Sequence, residues 1–141
     1  MRPEPPCDSG SGRVRIRLSG ILAGYLLSAL IAVIVTVLML IPVTQGQPSG
    51  MLGLDKLAHA AVFFLIVLPI LSAHPRAWVW LVPVAAAYGG VIELIQPYFG
   101  RGREFADFIA NIVGIALAVP VGRIVHRRFS KRRQVHQRER T

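Results

Sequence analysis

Apolar residues fill four long stretches of this 141-residue chain, and charged ones lie near the ends of those stretches or outside them. The stretches cover positions 18–41, 57–73, 77–96 and 105–122. Each is close to the roughly 20 residues that a helix rising ~1.5 Å per residue needs to cross a ~30 Å hydrocarbon layer. The pattern therefore predicts an all-α fold, a polytopic membrane protein built as a bundle of four transmembrane helices. Pro69, Pro83 and Pro120 fall inside the stretches. Proline is tolerated in membrane bundles, where neighbouring helices or water satisfy the freed carbonyls. Pro97, directly after Gln96, is expected to end the third helix in a short turn.

The first stretch follows Arg13, Arg15 and Arg17, as a secretion signal would. It is longer than a signal's apolar region, and no small-x-small cleavage site follows Ile41-Pro42, so it is read as a retained helix. Composition agrees, with 53% hydrophobic residues and a mean hydropathy of +0.53, values foreign to a soluble globule. The Pro/Gly/Ser-rich start predicts a disordered basic leader over 1–17, a membrane domain over 18–125 and a basic tail over 126–141. Cys7 is the only cysteine, which excludes an internal disulfide and a thiol metal cluster.

Charge sets the expected orientation. Arg2, Arg13, Arg15, Arg17, Arg76 and the tail from Arg123 to Arg140 fall on one side of a four-span chain, against Lys56, Arg101 and Arg103 on the other. Loops rich in Lys and Arg stay in the cytoplasm, so both termini are expected there. The net charge of +9 and the pI of about 11.3 then describe topology and contact with anionic membrane lipids, at about 1 kcal/mol per basic residue near the surface. Nucleic acid is not an expected partner.

The remaining charges within the apolar region gather in two patches, Asp55-Lys56 and Glu93 to Asp107. Ionised groups in a bilayer cost on the order of 2.5 to 3.5 kcal/mol each, so they persist where they pair, line water or act on something. Helical spacing sharpens the patches into a cluster. Asp55 and His59 share a face, with Phe63 one turn deeper and Lys56 turned about 100° away. Glu93 and Gln96 share another, continuing through Gly89 and Ala86. Asp107, Asn111, Gly114 and Ala118 make a third. Gly89, Gly90 and Gly114 are expected to mark close packing of the third and fourth spans.

His59 is the side chain most suited to changing charge near neutral pH, and Asp55 beside it would orient its ring. Glu93, the deepest carboxylate, suits proton exchange. His59, Glu93 and Asp107 are thus the candidate catalytic groups. Asp55, Lys56, Gln96, Arg101, Glu104 and Asn111 are candidates for substrate binding, with Arg101 and Arg103 placed to hold a phosphate or carboxylate. The segment 42–54 reads equally as a lid over this rim or a plain connector. Asp55, His59 and Glu93 offer donors for a divalent ion, but only one histidine lies in the cluster, so neither a metal nor another cofactor is expected. The plain structural alternative is that these groups merely cap helices and hold the bundle in register, at roughly 0.6 kcal/mol per polar interhelical bond.

Three signatures in register resemble the VanZ-like membrane protein family. They are Asp55-Lys56-x-x-His59 with Phe63; Gly89-Gly90 with Glu93-x-x-Gln96; and Arg101-x-x-Glu104-x-x-Asp107 running into Ala110-Asn111-x-x-Gly114. The match spans 54–118, and Arg103 falls outside the pattern. The resemblance implies a compact helical bundle in the bacterial cytoplasmic membrane and an envelope role at its outer face, the family being named for a member linked to low-level glycopeptide resistance. It supplies no established reaction. The leading expectation is accordingly an accessory cell-envelope protein that affects envelope properties or glycopeptide tolerance, with a cell-envelope precursor or an anionic lipid head group as partner. An enzyme acting on a lipid-linked or phosphorylated envelope substrate by acid-base chemistry ranks second. Pro48-Ser49-Gly50-Met51 lacks the histidine that lipid phosphatases need after serine-glycine, which argues against that specific chemistry. A small proton-coupled carrier ranks third, since four spans are few unless the chain forms a homo-oligomer.

Overall fold

A computed structural model of the chain describes residues 10–41, 52–100 and 104–138. The described residues are helical throughout apart from short connecting turns, with no strand among them. Helix α1 spans Gly10–Leu40, α2 Leu52–Ala73, α3 Trp78–Ile95 and α4 Phe105–Arg138. All four contain stretches long and apolar enough to cross a membrane. The chain is a multi-pass membrane protein.

Two tight turns bracket α3. Pro75–Ala77 forms a single 3-10 turn after α2, and Gln96–Phe99 another after α3. Pro97 ends α3 as its fixed φ and missing N–H require. Gly100 then closes the turn at φ 74°, a left-handed backbone that glycine adopts without strain, and its N–H is bonded to the carbonyls of Gln96 and Pro97.

Direction alternates along the chain. Met39 of α1 reaches Gln96 after α3, and Tyr25 of α1 stacks on Trp80 of α3 at 6.1 Å, so these two helices run the same way. Ala60 meets Gly114 and Leu71 meets Gly122, so α2 and α4 also run together, opposite to the first pair. The tightest contact is between α2 and α4, which are not consecutive in sequence. Gly114, Ala118 and Gly122 recur every four residues on α4 and are all buried. Such a stripe lets helix backbones approach closely. A Cβ on Gly114 would overlap the Ala60 carbonyl, and one on Gly122 would lie 2.6 Å from the Leu71 Cβ. Gly114 therefore marks the α2–α4 seam rather than the expected one between the third and fourth spans. Gly90 does face α4, at ordinary distance from Phe108, whereas Gly89 is wedged between Phe63 and Asn111.

Helix α1 is fastened from outside. Gly24 abuts the Pro69 carbonyl and the Ala73 side chain. Tyr88 donates to the Ala32 carbonyl at 3.0 Å and is hydrogen-bonded to Thr36 as well. Phe63, Val67, Leu71, Ile115 and Ala118 form the buried centre, while leucines and valines on the outer faces of all four helices stay exposed. In lipid, that exterior is the favourable one.

The leader departs from expectation in its last residues. Helix α1 already begins at Gly10, so the last residues of the expected disordered leader are helical, and α4 continues to Arg138, carrying the residues of the expected basic tail as helix. Adding a residue to an existing helix gains a hydrogen bond without a new nucleation cost, and Pro120 is the last proline in α4. Positions 1–9, including Cys7, the segment 42–51 and positions 139–141 lie outside the described residues.

Candidate functional site

Helices α2 and α4 start at the same end of the bundle, where α3 finishes. Each starting helix carries an acid in its first turn, Asp55 and Asp107. A carboxylate there is stabilised by the partial positive charge of the helix N-terminus. One turn further in stand His59 and Asn111, and α3 brings Glu93 to the same depth from the other side. All four of His59, Glu93, Asp107 and Asn111 are buried, with exposures of 1%, 5%, 4% and 0%. Phe63 and Gly89 form the floor.

The polar contacts form a chain. His59 Nδ1 lies 3.1 Å from Asn111 Oδ1 and 3.5 Å from Glu93 Oε1. Both neighbours are acceptors, so Nδ1 carries the proton and donates. Asn111 in turn directs its Nδ2 toward Glu93 Oε1 at 3.5 Å. That leaves His59 Nε2 buried with no hydrogen-bond partner among the described residues, facing Asp107 Oδ2 across 4.0 Å. The gap is too long for a hydrogen bond. It is the right width for one donor atom carrying two hydrogens, such as an amine or amide nitrogen, seated off the line between them about 2.8 Å from each and donating to both.

Nearer the surface, Lys56 closes the cluster. Its Nζ bonds Glu104 at 2.9 Å and lies 3.6 Å from Asp107 Oδ1. Both Lys56 and Glu104 are partly exposed, so this pair sits at the mouth while His59 sits at the back. The backbone N–H of Asp107 is bonded to the Glu104 carbonyl, which fixes Glu104 one turn before the acid it flanks.

Most of the candidate residues are thus gathered at one place: Asp55, Lys56, His59, Glu93, Glu104, Asp107 and Asn111. Gln96 is turned elsewhere. Its Nε2 points at the Met39 carbonyl at 3.4 Å and the Met39 sulfur at 3.8 Å, tying α3 to the end of α1. Three residues on a helix differ by about 60° in direction, enough for Glu93 and Gln96 to serve different neighbours. Arg101 and Arg103 lie outside the described residues.

A cation set also emerges, in altered form. Asp55, His59 and Asp107 present ligand atoms within 4.8 Å of one another, so Asp107 takes the place that sequence spacing suggested for Glu93. His59 Nε2 and Asp107 Oδ2, 4.0 Å apart, lie within the ~4.2 Å that two metal–ligand bonds of about 2.1 Å can span. The Lys56 ammonium beside Asp107 already supplies positive charge there. These groups are better suited to hydrogen bonding and proton transfer than to a resident metal.

In comparisons with known proteins, no family model, no curated protein and no solved structure matches the chain.

Proposed function

We propose that this is an accessory protein of the bacterial cell envelope, held in the cytoplasmic membrane, that takes the polar head of an envelope molecule into the notch between His59 and Asp107. The observation that carries the reading is the buried His59 Nε2, which has no hydrogen-bond partner among the described residues and faces a carboxylate 4.0 Å away. A buried polar group without a partner costs about 1 to 3 kcal/mol, and a guest that donates to it, such as an amine or amide, would recover it. The Lys56–Glu104 pair at the mouth gives such a guest a charged entrance. The three signatures resembling the VanZ-like family support an envelope role, and the distribution of Lys and Arg supports placing the notch on the extracytoplasmic face. Altered envelope properties, including glycopeptide tolerance, are the expected phenotype.

A second reading is favoured by the same geometry. A histidine whose Nδ1 is fixed by Asn111 and whose Nε2 faces an acid is the arrangement of a general acid-base catalyst, so turnover of a lipid-linked or phosphorylated substrate stands as the alternative. Three variants test both. His59→Ala, Glu93→Gln and Asp107→Asn are expected to abolish the envelope phenotype while the protein remains inserted and abundant. Disappearance of all three from the membrane would reduce the cluster to scaffolding. With purified protein, saturable binding of a labelled envelope lipid without turnover favours the accessory protein, and turnover lost in the variants favours the enzyme.

A further inference from the structure

The opposite end of the bundle holds a second polar feature. Where α2 ends, α3 begins and α4 passes, a cleft of about 350 Å³ is lined by Pro75, Arg76, Trp78, Arg123, His126 and Arg127. Three arginines and a histidine converge there with no carboxylate among the lining residues. The acids of the described residues, Asp55, Glu93, Glu104 and Asp107, all lie at the other end. Sixteen residues of α4 separate Asp107 from Arg123, which is about 24 Å. No described side chain of this chain neutralises the cleft.

Its cationic groups are positioned. Gly122 brings α4 against Leu71 and Ser72, and His126 Nδ1 donates to the Ser72 carbonyl at 2.9 Å, which fixes the ring at the base of the cleft. The Arg123 guanidinium lies over the Trp78 ring at 5.4 Å. A stacked guanidinium keeps its N–H edge free for bidentate bonding to an oxyanion. Arg127 follows one turn later on the same face. Trp78 and Trp80 are both partly exposed at this level, and tryptophan collects where hydrocarbon meets head groups.

We propose that this cleft binds the phosphodiester head group of an anionic membrane lipid, held by Arg76, Arg123 and Arg127. The site is distinct from the His59 cluster and independent of what that cluster binds. The flanking tryptophans and the exposed apolar faces of α3 and α4 set it beside acyl chains, which a free phosphate would not use. Loose attraction between a basic tail and an acidic leaflet would draw equally on Lys131 and Arg132, which do not line the cleft.

That contrast supplies the test. Full-length protein in neutral detergent is titrated with phosphatidylglycerol, with phosphatidylcholine and with inorganic phosphate, and bound lipid is counted by native mass spectrometry. Phosphatidylglycerol should bind saturably at one site, at least tenfold more tightly than phosphatidylcholine. The double variant Arg123→Gln/Arg127→Gln, and separately Arg76→Gln, should weaken it about tenfold or more. Lys131→Gln/Arg132→Gln, with the same charge removed as the double variant, should change it less than twofold. Equal weakening by the two double variants, or no preference over phosphatidylcholine, overturns the site. Displacement of the lipid by inorganic phosphate at equal concentration overturns its assignment to a lipid.

Discussion

Replacing Gly114 by alanine adds one methyl group at the point where the bundle has least room. Its carbon would overlap the Ala60 carbonyl oxygen and lie 2.8 Å from the carbonyl carbon and 3.0 Å from the Ala60 Cα. All three are backbone atoms of α2, so no side-chain rotation relieves the conflict. The helices must part by roughly an ångström, and overpacking of this kind typically costs about 1 to 3 kcal/mol. Asn111 precedes Gly114 by three residues and His59 adjoins Ala60, so the same opening would stretch the 3.1 Å His59–Asn111 bond to about 4 Å, beyond hydrogen-bonding range. Gly114→Ala should therefore lose about 2 kcal/mol in a reversible unfolding titration in mixed micelles and also lose the envelope phenotype. Gly90→Ala is the matched control, because its new methyl would meet only Phe108 at 3.6 Å, an ordinary contact. If the two variants are equally stable and equally active, the α2–α4 seam does not have the closeness on which the His59 geometry depends.

Asn111→Leu withdraws a hydrogen bond from the buried His59 and should lower stability by about 1 to 3 kcal/mol together with function. Gln96→Ala, which removes only a 3.4 Å contact to the end of α1, should cost no more than about 1 kcal/mol and leave the envelope phenotype intact; loss of the phenotype would return Gln96 to the site. In a Cys7→Ser background, Tyr98→Cys should be labelled in intact cells by a membrane-impermeant maleimide, and Lys131→Cys only after permeabilisation. The reverse pattern would put the His59 cluster on the cytosolic side.

Much of the candidate site can be read from the chain because helical periodicity reports faces. The spacing of Asp55 with His59, and of Asp107 with Asn111, Gly114 and Ala118, places each set on one side of its helix, and those sides are the buried ones. Periodicity does not report which helix a face meets. Gly114 meets α2 rather than α3 for that reason, and Gln96 serves α1 while Glu93 serves the cluster. Lys56 looks diverted when judged against Asp55 alone. Its 100° offset is what carries it to Glu104 and Asp107 on α4. The basic cleft is hidden more deeply, since Arg76 and Arg127 are far apart in sequence and read as topology signals. The one local hint is Arg123 and Arg127 four residues apart, with His126 adjoining.

Helix α4 is longer than any bilayer requires. Its 34 residues measure about 50 Å, against ~30 Å of hydrocarbon. The same helix therefore supplies Asp107 and Asn111 at one face of the membrane and a protruding basic stalk at the other. Pro120 lies between them and removes one rung of the helical ladder, the usual place for a helix to bend. About 27 Å of stalk separates Pro120 from Arg138, so a change of only 5° at that proline would swing the stalk tip by about 2 Å. The angle at this one proline therefore sets how the basic stalk stands relative to the notch, two features carried by the same helix.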